Sequence, residues 1–147
     1  RIMGLDDPAK KMSKSAENPN NYIALLDSPE TIKEKIKTAV TDSGSEIKYD
    51  TENKPAISNL LLIYSLFSGK PITVLEKEYA GKNYSVFKKE LAEVIIESLS
   101  PIQKKYQELS ANPDYVKKVL RQGAEKAKTI ASQTIKEVRA KIGFLEL

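Results

Sequence analysis

Neither cysteine nor histidine occurs among the 147 residues of this chain, and each absence excludes a class of functional site. Without cysteine the chain has no disulfide framework, no zinc–thiolate centre and no thiol nucleophile. Without histidine it has no His-based catalytic triad and no His metal site. We therefore expect no protein-bound metal.

Long apolar runs and targeting signals are also missing. The longest apolar run, residues 60–64, is far shorter than the roughly 20 residues that a membrane span needs. No segment has the pattern of a signal peptide, so we expect a cytoplasmic protein without a membrane partner. The sequence begins with Arg1 rather than methionine, and we therefore expect it to be part of a longer chain.

The charge of the chain is concentrated towards its end. In total, 24 basic and 20 acidic residues give a net charge of +4. Residues 82–147 alone carry thirteen bases and eight acids, a net charge of +5. Such an excess is compatible with a phosphate-rich partner. A solvated helix surface is the alternative interpretation.

Hydrophobic periodicity predicts a mainly helical chain. Apolar residues recur at spacings of three or four in the stretches that begin near residues 29, 71, 85 and 113. Residues 55–67 are apolar nearly all round, which is typical of a helix buried on most sides. We expect an all-α antiparallel helical bundle.

Finer features of the pattern give further expectations. Residues 22–26 are predicted to form a short helix, and residues 1–5 a short strand or the end of one. Pro101 should bend its helix or split it in two, and Gly123 is expected to be a joint. Residues 41–54 hold too few apolar groups to pack, so we expect a long loop, which is often functional or mobile.

The chemically most specific segment is Lys-Met-Ser-Lys-Ser at residues 11–15, here called the signature loop. It places two cations three residues apart, with hydroxyl residues between and after them. Flexible ammonium groups can reach separate phosphate oxygens, and serine side chains and backbone N–H groups add donors. The loop is thus a candidate triphosphate clamp that stabilises moving phosphate charge. An ordinary solvent-exposed basic loop is the alternative.

The signature loop and its surroundings resemble a known family. Lys-Met-Ser-Lys-Ser is the signature of class I aminoacyl-tRNA synthetases, and the context resembles the bacterial tryptophanyl-tRNA synthetases. The matching context comprises residues 1–8, 18–19, 22–27, 36–43, 57–61, 82–84, 87–88, 101–103 and 123–127. Because the resemblance covers essentially the whole chain, it identifies the chain as the C-terminal portion of such an enzyme.

The resemblance implies a two-step ligase reaction. In that family L-tryptophan and Mg-ATP form tryptophanyl-adenylate, and the tryptophanyl group is then transferred to tRNA(Trp). The family also implies a homodimer. Class I enzymes carry a second, His- and Gly-rich signature in a Rossmann domain, which this histidine-free chain lacks. We therefore expect the isolated chain not to form adenylate.

The resemblance places the ATP site near the start of the chain. It implies that Lys11 and Lys14 hold the β- and γ-phosphates and stabilise the departing pyrophosphate. The adenine contacts that it implies come from the Ile2 backbone and from Met12. Further phosphate or loop contacts are implied for Ser13 and Ser15.

The resemblance also divides the chain into two functional parts. Residues 1–18 would be the end of the Rossmann catalytic domain, with the signature loop. Residues 19–147 would form the α-helical domain that recognises the tRNA anticodon. The cations that we expect to contact tRNA are Lys117, Lys118 and Arg121, and a solvated helix face is the alternative.

Three further features each have two open interpretations. Asp6 and Asp7 are a metal pair or a turn before Pro8. Asn59 contacts the signature loop or is a buried amide that pairs with backbone. Four tyrosines either stack on bases or form the edge of the core, namely Tyr79, Tyr84, Tyr106 and Tyr115.

Two other functions remain compatible with the residues alone. A stand-alone helical RNA-binding module would bind tRNA with a steep salt dependence and without an effect of nucleotide. A helical scaffold for another protein would expose an apolar patch on one helix and would be indifferent to tRNA.

Overall fold

The computed structural model describes residues 1–144, and the regular structure within them is helical. A short 3-10 helix covers Pro19–Asn21. Five α-helices follow it: α1 Pro29–Thr38, α2 Pro55–Ser68, α3 Ile72–Glu78, α4 Tyr84–Ser110 and α5 Pro113–Lys141. The predicted all-α fold is confirmed.

Local capping groups explain where several helices begin and end. The Ser28 hydroxyl accepts the Thr31 N–H ahead of α1, and the Asn112 side chain accepts the Tyr115 N–H ahead of α5. Proline in the first turn, where no N–H partner is needed, begins α1, α2 and α5. At the end of α2, Gly69 adopts a left-handed conformation with φ of 72°.

Residues 1–103 form one compact unit with a continuous apolar core. The core includes fully buried side chains of α1, α2, α3 and α4, among them Ile36, Leu61, Leu75 and Leu91. The rings of Tyr64, Tyr79 and Phe87 also pack together in it, with centroids 5.0–5.7 Å apart. Burial of this apolar surface is the main source of stability for the unit.

The long loop predicted at residues 41–54 is present, and side chains anchor it to the helices. Ile47 is buried in the core. The Tyr84 hydroxyl donates to Asp42 Oδ1 at 2.8 Å, and Lys54 lies 3.6 Å from the same oxygen. A polar segment without helical structure is therefore held by one apolar residue and a small charged network.

The short helix predicted at residues 22–26 is absent. Lys35 Nζ donates to the Tyr22 carbonyl at 3.0 Å, and the Gln103 amide donates to the Leu25 carbonyl at 2.9 Å. Side chains from later helices thus satisfy carbonyls that helical hydrogen bonds would otherwise use. The local pattern could not predict these partners because they are distant in the sequence.

Two other local expectations also needed correction, and a third is narrowed. Residues 1–5 form no strand; within residues 1–144 the β pairing is an isolated antiparallel bridge between Met3 and Lys11. Helix α4 is continuous through Pro101, so of the two predicted effects of the proline a split is excluded, whereas a bend stays a prediction. Helix α5 is likewise continuous through Gly123, which lies in open space and is not a joint.

From Lys104 onward the chain forms a second compact unit, made of the end of α4 and α5. None of the residues of α5 is buried. Among the described residues, no single helix is long and apolar enough to cross a membrane. Helices α2 and α3 pass the length and composition criteria only as a pair that is bent by 108°.

Candidate functional site: the signature loop

A short hairpin brings the signature loop alongside residues 2–4. The Met12 N–H donates to the Ile2 carbonyl at 3.1 Å, and the Gly4 N–H donates to the Lys10 carbonyl at 2.8 Å. Between these two bonds, Met3 and Lys11 face each other in the isolated bridge. The backbone at the start of the loop is therefore fixed relative to residues 2–4.

Asn59 of helix α2 holds the other edge of Met3. Its side chain accepts the Met3 N–H at 2.9 Å and donates to the Met3 carbonyl at 2.9 Å. The amide, which is 6% exposed, is thus satisfied by backbone. The Met3 N–H and carbonyl take no part in the hydrogen bonds of the bridge, so Asn59 satisfies the backbone groups that the hairpin leaves unpaired.

A second asparagine holds the middle of the loop. Asn21, which is 5% exposed, accepts the Ser13 N–H at 3.0 Å and donates to Asp6 Oδ1 at 2.5 Å. The Asn18 amide donates to the other oxygen of the Asp6 carboxylate at 2.7 Å. We did not predict these contacts; the local signal for them is the segment Asn-Pro-Asn-Asn at residues 18–21, which is rich in helix-capping residues.

The two lysines of the loop present exposed ammonium groups. Lys11 and Lys14 are exposed, and neither has an ion-pair partner among residues 1–144. Lys10, by contrast, lies 3.2 Å from Asp7. Because no carboxylate of residues 1–144 pairs with them, both signature lysines can bind an anion without first breaking an ion pair in that range.

Apolar side chains lie beside these cations. Ile2 and Met12 are partly buried and pack against the core. Ser13 Oγ accepts the Ser15 N–H at 3.2 Å, which folds the loop into a local turn. The arrangement combines cations, backbone and hydroxyl donors and an apolar edge, which are the groups that a nucleoside polyphosphate requires.

The paired aspartates form a turn. Asp7 accepts the Ala9 N–H at 3.0 Å, and its carbonyl accepts the Lys10 N–H at 3.2 Å. The backbone hydrogen bond from Ala9, followed by the contact with Lys10, lowers the pKa of Asp7. Within the described residues, no group of three or more carboxylates is arranged to hold a metal ion.

Comparison with known proteins identifies the family. The family model of class I tRNA synthetases (W and Y) matches residues 1–100, which is more than half of the chain. The chain belongs to the class I tRNA synthetases. The resemblance deduced from the signature loop and its context is thereby confirmed.

Individual class I tRNA synthetases match almost all of the chain. It is 52% identical over 145 residues to a tryptophan–tRNA ligase of Caldanaerobacter subterraneus and 48% identical over 144 residues to that of Bacillus subtilis. These alignments cover 98–99% of the chain and 43–44% of the relatives. The chain therefore spans less than half the length of these curated relatives.

Solved class I tRNA synthetases share its fold over the same extent. The tryptophanyl-tRNA synthetase of Mycoplasma pneumoniae superimposes with a TM-score of 0.80 at 31% identity, covering 99% of this chain and 44% of that one. A Campylobacter jejuni tryptophanyl-tRNA synthetase complexed with ADP and tryptophan gives 0.74 at 34% identity, covering 97% and 43%.

The three cations predicted to contact tRNA lie on helix α5. All are exposed, and Lys117 is 3.9 Å from Asp114. Neither Lys118 nor Arg121 has an ion-pair partner in the part of the chain that the structure describes. From Lys104 onward there are ten bases and five acids, a net charge of +5, against −1 for residues 1–103.

The four tyrosines fall into two groups. Tyr79 is 1% exposed, and the Tyr84 hydroxyl bonds Asp42, so both are part of the folded interior or its edge. The pKa of each of these two phenols is raised, mainly by burial and secondly by a hydrogen bond to a carboxylate. Tyr106 and Tyr115 are 52% and 53% exposed. Only this second pair presents ring surface on which a base can stack.

Proposed function

We propose that this chain is the C-terminal portion of a tryptophan–tRNA ligase, which activates L-tryptophan with Mg-ATP and transfers it to tRNA(Trp). The observation that carries the proposal is the pair of exposed ammonium groups of Lys11 and Lys14 on an anchored loop. Neither has an ion-pair partner within residues 1–144, and the chain is 52% identical to such a ligase over 145 residues.

In the activation step, a carboxylate oxygen of tryptophan forms a bond to the α-phosphorus of ATP. The bond between that phosphorus and the oxygen bridging to the β-phosphate breaks, and negative charge accumulates on the departing pyrophosphate. Lys11 and Lys14 bind the β- and γ-phosphates and stabilise this charge electrostatically. The Mg²⁺ of Mg-ATP supplies further charge neutralisation, and we assign it no ligand from this chain.

The remaining parts of the loop bind the other groups of ATP. Met12 and the Ile2 backbone line the adenine side, which is supported by their hydrogen bond and their packing at the edge of the core. Ser13 and Ser15 add phosphate or loop contacts. The loop thereby aligns the triphosphate for attack by a tryptophan held elsewhere in the complete ligase.

The test is tryptophan-dependent ATP–pyrophosphate exchange by the complete ligase. For Lys14→Ala we expect kcat to fall by about 10²–10³-fold, the usual cost of removing one donor to transition-state charge. Lys10→Ala removes the lysine just before the signature loop, which is paired with Asp7, and its rate should stay near that of the unsubstituted ligase. An unchanged kcat for Lys14→Ala would remove this lysine from the mechanism.

For the second unit we propose recognition of the tRNA anticodon. Its net charge of +5, the exposed Lys117, Lys118 and Arg121, and the exposed rings of Tyr106 and Tyr115 support this proposal. A cavity of about 490 Å³ lined by Tyr106, Leu109 and Val116 lies beside Lys117. Cations next to accessible rings are the combination that binds unpaired nucleotides.

Further proposals concern the complete ligase. Residues 1–18 belong to its Rossmann catalytic domain and residues 19–147 to its helical domain. It acts as a homodimer in the cytoplasm, and the isolated chain does not form adenylate. A stand-alone RNA-binding role, also supported by the +5 charge, instead predicts tRNA binding without any ATP-dependent function.

A protein-interaction scaffold is a second candidate function that one observation favours. Helix α5 exposes large apolar side chains, including Leu120 at 67% and Ile130 at 71%. Such a surface is typical of a helix that packs against another polypeptide. This candidate predicts that the chain is indifferent to tRNA, so a titration with tRNA(Trp) at low salt distinguishes it from anticodon recognition.

A further inference from the structure

Asn21 connects the signature loop to the turn that precedes it. Its side-chain oxygen accepts the Ser13 N–H at 3.0 Å, and its amide donates to Asp6 Oδ1 at 2.5 Å. Ser13 lies immediately before Lys14. Because the Asn21 side chain is almost fully buried, water cannot readily replace these bonds when they are lost.

Asp6 links this amide to the 3-10 helix. Its second carboxylate oxygen accepts the Asn18 amide at 2.7 Å, and the Asn18 oxygen in turn accepts the Asn20 N–H at 3.0 Å. The Leu5 N–H donates to the Asn21 carbonyl at 2.9 Å. The segments before and after the signature loop are thus joined through one carboxylate and one buried amide.

Gly4 provides the space for this connection. A Cβ at that position would lie 2.1 Å from Asn21 Nδ2, far closer than two such atoms can approach. The same glycine donates its N–H to the Lys10 carbonyl in the hairpin. The backbone at residue 4 therefore supports the hairpin and leaves room for the buried asparagine.

We propose that Asn21, held by Asp6, is a positioning residue that sets the backbone from which Lys14 reaches the triphosphate. The proposal rests on the proposed ligase function and adds residues that contact no substrate. Asn59 fixes the loop near Lys11 through Met3, whereas Asn21 fixes it next to Lys14 through Ser13. A flexible ammonium group on a misplaced backbone meets the phosphate less often in the productive geometry.

The decisive variants change Asn21 alone or exchange the residue types of Asn21 and Asp6. Asn21→Asp keeps the size of the side chain and the acceptor for Ser13, but it sets a second carboxylate against Asp6. The double variant Asp6→Asn/Asn21→Asp restores a donor–acceptor pair with the opposite polarity. The new Asn at position 6 retains one oxygen for the Asn18 amide, so all three hydrogen bonds can re-form.

In the complete ligase we expect Asn21→Asp to lower kcat of ATP–pyrophosphate exchange by about 10–100-fold, with the KM for tryptophan unchanged. The double variant should recover to within about threefold of the unsubstituted rate, because the bonds are restored. Asn20→Asp is the matched control, since it adds the same charge one residue away on an exposed side chain. Its kcat should not change.

NMR of the 147-residue chain provides an independent readout. In Asn21→Asp the Ser13 amide should shift and exchange faster with solvent, whereas amides of α2 should keep their positions. Reduced thermal stability with an unchanged kcat, measured well below the unfolding midpoint, would show a purely structural role and overturn the proposal. So would a double variant that remains as slow as Asn21→Asp. If Lys14→Ala leaves exchange unchanged while the Ser13 amide still responds, the ligase role of the lysine is wrong rather than the contact itself.

Discussion

The two compact units of this chain are both helical but obtain their structure from different sources. Residues 1–103 bury an apolar core that includes Ile57, Leu61 and Phe87, all 0% exposed. Helix α5 in the second unit buries no residue, and the ion pairs of this unit lie within single helices, such as Lys105 with Glu108 in α4 and Lys117 with Asp114 in α5. Packing energy therefore supports the first unit, whereas local helix-forming interactions and solvated charge dominate the second.

The signature loop belongs to the first unit, and buried groups of that unit hold its backbone. Its lysines are exposed, but the backbone beneath them bonds to buried groups, Asn21 and Asn59. Helix α5 buries no residue beneath its cations. Of the two proposed phosphate-binding functions, ATP binding by the loop therefore requires a fixed geometry, whereas tRNA binding by α5 requires mainly charge density.

The largest contrast should come from truncating an apolar side chain in each unit. Leu61→Ala removes a side chain that is 0% exposed, and we expect the free energy of unfolding to fall by about 2–5 kcal/mol. Leu120→Ala truncates one that is 67% exposed, so its effect should stay within about 0.5 kcal/mol. Urea denaturation of the 147-residue chain measures both. Equal effects would contradict the proposed difference between the units.

A smaller loss of stability is expected when Asn59, which holds the backbone of Met3, is replaced. Asn59→Ala leaves the Met3 N–H and carbonyl without their partner, which should cost about 1–3 kcal/mol in unfolding free energy. Asn20→Ala, at an exposed position in the 3-10 helix, is the matched control and should be nearly neutral. A neutral Asn59→Ala would mean that solvent satisfies the Met3 backbone equally well.

The charge contrast can be tested by neutralising three cations in each unit. Replacing Lys117, Lys118 and Arg121 with glutamine should weaken tRNA(Trp) binding about tenfold and lower the salt slope by roughly 0.7–0.9 for each lost phosphate contact. The control neutralises three exposed lysines of the first unit, namely Lys48, Lys77 and Lys89. Fluorescence titrations at two salt concentrations give both quantities. If both triple variants lose the same affinity, overall charge rather than α5 attracts the tRNA.

The smallest effect concerns how the stability of the loop at residues 41–54 depends on pH. Burial opposes ionisation of Asp42, but hydrogen bonds from Tyr84 and the Gly44 N–H, with the nearby Lys54, together hold its pKa below the usual value. The resulting stabilisation is present above about pH 4, the unfolded-state pKa, and is lost as the pH falls through the lower pKa of the folded state.

Asp42→Asn should therefore be less stable than the unsubstituted chain at pH 7 and should lose less stability on acidification below about pH 4. Asp114→Asn, whose side chain is 93% exposed, is the control and should keep the unsubstituted pH profile. Urea midpoints at several pH values measure the difference. If the urea midpoints of all three proteins depend on pH in the same way, Asp42 does not contribute to the acid sensitivity of the chain.

Sequence reasoning succeeded where the controlling interactions are local. The helices predicted to begin near residues 29 and 113 are α1 and α5, where Ser28 and Asn112 cap the first turn and a proline follows each of them. Apolar spacing predicted the helices because each helix must present a continuous face. The short helix at residues 22–26 was predicted wrongly because Lys35 and distant Gln103 satisfy its carbonyls.

The candidate site was predictable only in part for the same reason. Lys11 and Lys14 were predicted from their residue types and spacing, and their exposure without ion pairs within residues 1–144 agrees with an anion-binding role. Their binding role itself stays a prediction. Asn21 escaped notice because an asparagine in a capping segment is expected to serve its own helix, not a loop eight residues earlier.

The sequence by itself determined the all-α class, most helix boundaries and the presence of two cations on a polar loop, because these depend on groups within a few residues of one another. Only the tertiary structure decided that Asn59 and Asn21 hold that loop, that Asp42 anchors residues 41–54, and that α5 buries nothing. These outcomes depend on which distant groups meet once the core has formed, and each meeting requires a polar group to find a partner as it leaves water.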